Sequence, residues 1–102
     1  MVGTRYERGR AKEYAAMAML KKDGWKVSRS AASHGAVDVF AAKGGRMLLV
    51  QVKSGKARVK KEELEELVEW GRSAGGDSEV WHFKGRGKLE RRRVYAYRGG
   101  KA

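Results

Sequence analysis

The feature that most constrains how this chain can fold is a pair of short apolar runs on either side of Gly44-Gly45. Gly35-Ala36-Val37-Asp38-Val39-Phe40 precedes the two glycines, and Met47-Leu48-Leu49-Val50-Gln51-Val52-Lys53 follows them. β-Branched and aliphatic runs around a Gly-Gly turn form a hairpin, since glycine supplies the positive φ of a tight turn at no steric cost. Side chains alternate along a strand, so Gln51 and Lys53 share a face. Hairpin pairing can bring Asp38 beside them. A carboxylate, an amide oxygen and an ammonium would then gather at one end of a small sheet. Hard oxygen donors next to a cation are what metal-dependent phosphodiester hydrolysis requires. Taken alone the pattern is weak, because Asp at a strand end commonly caps a turn and Lys after an apolar run is commonly solvated.

The N-terminal helix adds weight. Tyr6 to Asp23 is rich in Ala, Met, Leu, Lys and Glu, and Gly24 supplies a stop. One stripe at helical spacing reads Tyr6, Gly9, Glu13, Ala16, Met17, Leu20, so Glu13 falls in the middle of the face expected to pack on the sheet. Arg10 at i−3 is its one local ion-pair partner. A carboxylate on a packing face with so little support is costly unless something else binds it, and a metal ion shared with Asp38 would do so.

Charge narrows the partner. The 102 residues carry 24 Lys and Arg against 12 Asp and Glu, a net charge of +12, which favours a polyanion. Five of the acids, Glu62, Glu63, Glu65, Glu66 and Glu69, fall on one helix expected over Lys60 to Ser73. Its apolar stripe is Leu64, Leu67, Val68 and Gly71 with Trp70 at the edge, so these glutamates are expected to face away from the core. DNA should avoid that outer face. Two basic clusters flank the candidate site: Arg5, Arg8, Arg10 and Lys12 ahead of Glu13, and Lys56, Arg58, Lys60 and Lys61 after Lys53. As phosphate clamps they would make binding steeply salt-dependent. No zinc finger or basic zipper is present, so recognition would rest on shape and backbone contacts.

Gly24-Trp25-Lys26-Val27-Ser28-Arg29-Ser30 reads as a strand with Trp25, Val27 and Arg29 on one face, and the small-residue loop Ala31 to Gly35 leads from it into Asp38. With Gly9-x-x-x-Glu13, Gly24-Trp25-x-Val27-x-Arg29-Ser30, Ser33-x-Gly35-x-x-Asp38 and Gln51-x-Lys53-Ser54 in this order, the chain resembles the archaeal-type Holliday-junction resolvases of the PD-(D/E)xK nuclease superfamily. The resemblance runs from Gly9 to Phe83. It implies a small homodimeric endonuclease with a restriction-endonuclease-like core that cuts four-way DNA junctions by paired symmetric nicks, using Mg²⁺, with Mn²⁺ expected to substitute. Glu13, Asp38 and Gln51 match the family's metal-binding positions and Lys53 its catalytic lysine. Ser33 matches a loop serine near the active site, and Arg29 with Ser30 the approach to that loop, where DNA contacts are expected. One departure stands out: the family pattern usually has Glu where this chain has Gln51. Two carboxylates then remain instead of three, and weaker metal affinity is expected.

Two other readings compete. Another nuclease of the superfamily, acting on flaps, nicks or duplex DNA, would share the metal site. A non-catalytic basic DNA-binding protein would keep Gln51 as a relic of lost chemistry.

The rest of the chain completes one α/β domain of order αβββαββ, a mixed sheet with flanking helices over residues 1–102. Glu79 to Lys84 reads as a strand with Val80 and His82 on one face and Trp81 and Phe83 on the other. Gly85-Arg86-Gly87 reads as a turn and Arg93 to Tyr97 as a final edge strand. Residues 1–5 and 98–102 are expected to be mobile ends. Neither His34 nor His82 is expected to be catalytic. Trp70, Trp81 and Phe83 are more aromatic surface than so small a domain readily covers, which favours a homodimer. Without Cys there are no disulfides, thiol nucleophiles or thiolate metal sites. No signal peptide or membrane-spanning stretch is recognised, and a cytoplasmic setting, in a prokaryotic cell or a virus-infected host, suits such a nuclease.

Overall fold

The structure, a computed structural model, describes the backbone of residues 5–30 and 35–98, and side chains from residue 10 onward within those spans. Its elements run α1 (Arg5–Lys22), β1 (Lys26–Arg29), β2 (Val39–Lys43), β3 (Arg46–Ser54), α2 (Lys61–Ala74), β4 (Asp77–Gly85) and β5 (Lys88–Tyr95). This is the expected αβββαββ order. One five-stranded sheet has the strands side by side in sequence order. β1, β2 and β3 are antiparallel, β3 and β4 are parallel through the α2 crossover, and β5 returns antiparallel along the edge.

The Gly44-Gly45 turn is where the glycines place it: both have positive φ (55° and 81°), and Lys43 pairs with Arg46 across them. β3 is central and covered on both faces, which explains its unbroken apolar run. Leu48, Val50 and Val52 join Ala16 and Leu20 of α1 in one core, together with Val39, Ala41 and Trp81. Met47 and Leu49 join Leu67 of α2 in the other, with Ala36, Val37 and Val80. By strand alternation Gln51 and Lys53 lie on the α2 side.

Three boundaries differ from the sequence reading. The first strand spans four residues, because Gly24 (φ 94°) closes α1 in a left-handed cap, with the Trp25 N–H donating to the Leu20 carbonyl at 2.9 Å. β4 starts at Asp77. β5 starts at Lys88 and not at Arg93, because the charged run Glu90 to Arg93 is stabilised by partners across the ladder. Glu79, only 4% exposed, accepts from Arg91 (3.3 Å), from Arg93 (2.7 Å) and from the Trp81 indole N–H (2.8 Å). Burial alone would raise the Glu79 carboxyl, but these donors outweigh it and hold the group below the ordinary carboxylate range.

Trp81 is fully buried, with the Arg91 guanidinium 4.1 Å from its ring centroid. A single protomer therefore covers it, and it lends no support to a dimer. Trp70 remains 40% exposed, its ring edge-on to Phe40 at 5.6 Å. Among the described residues no helix is long and apolar enough to cross a membrane.

Candidate active site

Asp38 sits just before β2, and its backbone is tied on both sides. The Ser30 N–H donates to its carbonyl (2.9 Å), and its own N–H donates to the Val50 carbonyl (2.8 Å). Its side chain reaches across to β3, where Oδ2 accepts the Val52 N–H at 2.7 Å. Val52 is the residue between Gln51 and Lys53, so this bond locks the carboxylate onto the strand that carries both. Burial pushes the Asp38 carboxyl up to about 6 against the opposing Val52 hydrogen bond. The negative charges of Glu13 and Glu63 add to the rise and the Lys53 ammonium opposes it. Glu13 and Lys53 thus both lie near enough to Asp38 to act on its carboxyl electrostatically.

Glu13 is held from β1. Arg29 Nη1 donates to Glu13 Oε1 at 3.1 Å, and the same guanidinium lies 5.2 Å from the Tyr14 ring centroid. The partner for this carboxylate is therefore a residue sixteen positions away, in addition to anything Arg10 offers. Arg29, expected at the DNA, is part-buried beside the site with 23% of its side chain exposed.

Gln51 is 2% exposed, and its Oε1 is the one buried side-chain oxygen or nitrogen among the described residues without a hydrogen-bond partner. An unsatisfied buried carbonyl oxygen costs on the order of 1–3 kcal/mol. It fits a cation ligand, since amide oxygen and carboxylate are the hard donors that Mg²⁺ or Ca²⁺ accepts. An Asp carboxyl raised to about 6 by burial and like charge likewise gains from a cation beside it. Among the described residues no three His, Cys, Asp or Glu side chains form a metal-binding group. The donors here are two carboxylates and one amide.

The sequence reading missed Glu63. Helical spacing puts it among the outward-facing glutamates of α2, but it is half-buried, turned toward β3 and in contact with Lys53 Nζ at 3.2 Å. Its Oε1 also accepts the Lys60 N–H at 2.9 Å, capping the helix from its third residue. Burial opposes ionisation, but the Lys60 N–H and the Lys53 ammonium outweigh it and lower the carboxyl. The sequence signal was Glu63 three residues after Lys60, the second half of a capping box, which turns that side chain back toward the strand it follows.

The loop between β3 and α2 starts under restraint. The Gly55 N–H donates to the Phe83 carbonyl at 2.9 Å, and His82 Nε2 donates to the Gly55 carbonyl at 2.7 Å. His82 is thus a loop anchor. Lys56 and Arg58 project from this loop, Lys60 caps α2 and Lys61 is its first residue; all four are exposed. A cleft of about 790 Å³ runs beside it, walled by Lys12 of α1, Ser54 and Lys56 of the loop side, and Phe83 and Gly85 of β4. The Lys12 ammonium lies 5.6 Å from the Phe83 ring centroid. Ser33 and His34 lie outside the described residues, as do the side chains of Arg5 and Arg8. Arg10 and Ser30 are half-buried.

The family model for archaeal Holliday junction resolvases matches residues 4–95. Among solved structures, that of Hjc, a Holliday junction resolvase from the archaeal hyperthermophile Archaeoglobus fulgidus, superposes with a TM-score of 0.76. The two are 26% identical, and the match covers 85% of this chain and 73% of that one. The αβββαββ order agrees with that match, and the chain belongs to the archaeal Holliday junction resolvase family.

Proposed function

We propose that this chain resolves four-way junctions by metal-dependent hydrolysis, with Glu13, Asp38 and Gln51 holding a divalent ion and Lys53 acting at the scissile phosphate. The observation that carries this reading is the orphaned, buried Gln51 Oε1 on the strand that the Asp38 carboxylate is bonded to. A bound Mg²⁺ would supply Lewis acidity to a phosphate oxygen and lower the pKa of a coordinated water.

The chain's own residues do the rest. Asp38 is held through Oδ2 by the Val52 N–H, which leaves its other oxygen to meet the ion. Arg29 engages one oxygen of Glu13, orienting the carboxylate and offsetting part of its charge next to Asp38. Lys53 neutralises negative charge that builds on the phosphate in the transition state. Before DNA arrives, its ammonium rests on Glu63. Ser33, by the family correspondence, hydrogen-bonds the phosphate. Arg5, Arg8, Arg10, Lys12, Lys56, Arg58, Lys60 and Lys61 contact the junction backbone, Lys12 and Lys56 from the walls of the cleft. Two protomers, each cutting one strand, match the two-fold symmetry of the substrate.

The test is cleavage of a synthetic four-way junction in Mg²⁺ or Mn²⁺, beside linear duplex made from the same arms. Paired nicks symmetric across the junction, absent from the duplex and from Asp38→Asn and Lys53→Ala, are expected, with both variants still binding junction. Normal cutting by both variants would remove the site assignment. Tight binding by the wild type with no cutting in either metal would leave a DNA-binding protein with a disabled site. Gln51→Glu restores the third carboxylate and is expected to lower the metal concentration for half-maximal cleavage; an unchanged requirement would show that position 51 does not ligate.

A further inference from the structure

Gly85 pairs with Lys88, so Arg86 and Gly87 form a two-residue loop between β4 and β5. Both have positive φ, 53° and 76°, the signature of a type I′ turn. That turn favours Asn-Gly or Gly-Gly. Among the described residues every other position with positive φ is glycine, and Arg86 alone is not. A left-handed backbone costs a residue with a long side chain about 1–2 kcal/mol. Backbone strain of this kind is retained where the side chain has a task.

The surroundings indicate the task. Arg86 and Lys88 are exposed, and among the described residues their side chains make no hydrogen bond or ion pair. Lys84 beside them is joined to Glu90 by a surface pair at 3.1 Å, with both side chains about half exposed, so it exchanges readily for another anion. Arg92 is exposed on the same strand. Gly85 forms one end wall of the cleft whose charged lining is Lys12 and Lys56, without a carboxylate. The turn therefore adjoins a cleft whose charged lining is wholly cationic.

We infer that the β4–β5 turn is a second phosphate-binding surface, in which Arg86 and Lys88 grip the backbone of a duplex arm leaving the cleft. This rests on the junction-binding reading and extends it to a place the catalytic residues do not reach. Contacts there carry no base information; they set the position of the arm relative to the site.

The experiment is a salt titration of junction binding by the whole chain, comparing wild type with Arg86→Asn, with Arg86→Asn/Lys88→Gln, and with Lys22→Gln at the far end of α1 as an equal-charge control. Asn suits the left-handed position, so Arg86→Asn is expected to keep or raise the melting temperature, which separates binding loss from misfolding. Each lost phosphate contact lowers the slope of log K against log salt by about 0.9. With two turns in the dimer, the affinity lost between 50 and 200 mM salt should therefore shrink about 12-fold in the single variant and about 150-fold in the double. Lys22→Gln should leave the slope in place. An unchanged slope in both turn variants, or an equal fall in Lys22→Gln, overturns the inference. Wild type that cuts junctions with no slope change in the variants refutes the turn and keeps the nuclease. A slope change in a protein that cuts nothing keeps the turn and refutes the nuclease, and wild type that binds no junction refutes both.

Discussion

Two residues of the site carry energies that can be measured without DNA. The Asp38 carboxyl titrates near 6 when folded against an ordinary 3.8, so the folded protein holds this proton more tightly than the unfolded chain does. The contribution is intact below about pH 4 and is lost as pH rises through about 6, on the order of 2–3 kcal/mol in metal-free protein. Asn at this position can still accept the Val52 N–H and carries no charge. Denaturant unfolding in a chelator is expected to show Asp38→Asn more stable than wild type at pH 7 and no more stable at pH 4; equal curves at both would place Asp38 in a more solvated setting. Glu63 is the second case. Glu63→Gln keeps an acceptor for the Lys60 N–H and gives up the charge opposite Lys53. Stability should change by less than about 1 kcal/mol, while single-turnover cleavage falls roughly 10- to 100-fold as Lys53 loses its fixed position. Cleavage at the wild-type rate would make the pair purely structural.

Among the elements, α2 shows how closely this fold is fitted. Gly71 costs helix propensity, about 1 kcal/mol relative to Ala, but a Cβ there would stand 2.4 Å from Ser78 Oγ and 2.8 Å from Tyr95 Cδ2. Ser78 Oγ cannot easily yield, since it donates to the Leu67 carbonyl at 2.8 Å. Gly71→Ala is therefore expected to lower the chain's stability by about 1–3 kcal/mol, the usual cost of overpacking, despite the better helix former. A rise in melting temperature would show that α2 can lift from β4. The apolar stripe through Leu67 and Gly71 was legible in the sequence because helical spacing is local. The reason that its last member must be glycine was not, because it depends on a strand that follows.

For the molecule as a whole, the proposed homodimer is the property most open to direct test. Sedimentation of the free protein should give two chains, and both nicks should appear within one binding event, so that linear products form without accumulated singly nicked junction. A monomer that leaves isolated nicks would end the two-fold reading. Among the described aromatics Tyr14, Trp70 and Tyr97 remain exposed; of Trp70, Trp81 and Phe83, the three expected from the sequence to seek a partner, Trp70 is the one that does so. The sequence by itself determined the hairpin, the shared face of Gln51 and Lys53, the αβββαββ order and the polyanion-seeking charge. All of these follow from period-two and helical alternation, glycine turns and composition, which operate over a few residues. Only the tertiary structure decided that Asp38 bonds the Val52 N–H fourteen residues on, that Arg29 holds Glu13 across sixteen, and that Trp81 is sealed inside one protomer. It also turned Glu63 inward to Lys53. Those contacts join separate elements, and their partners are set by which strands and helices pack together, a choice that no local pattern in the chain encodes.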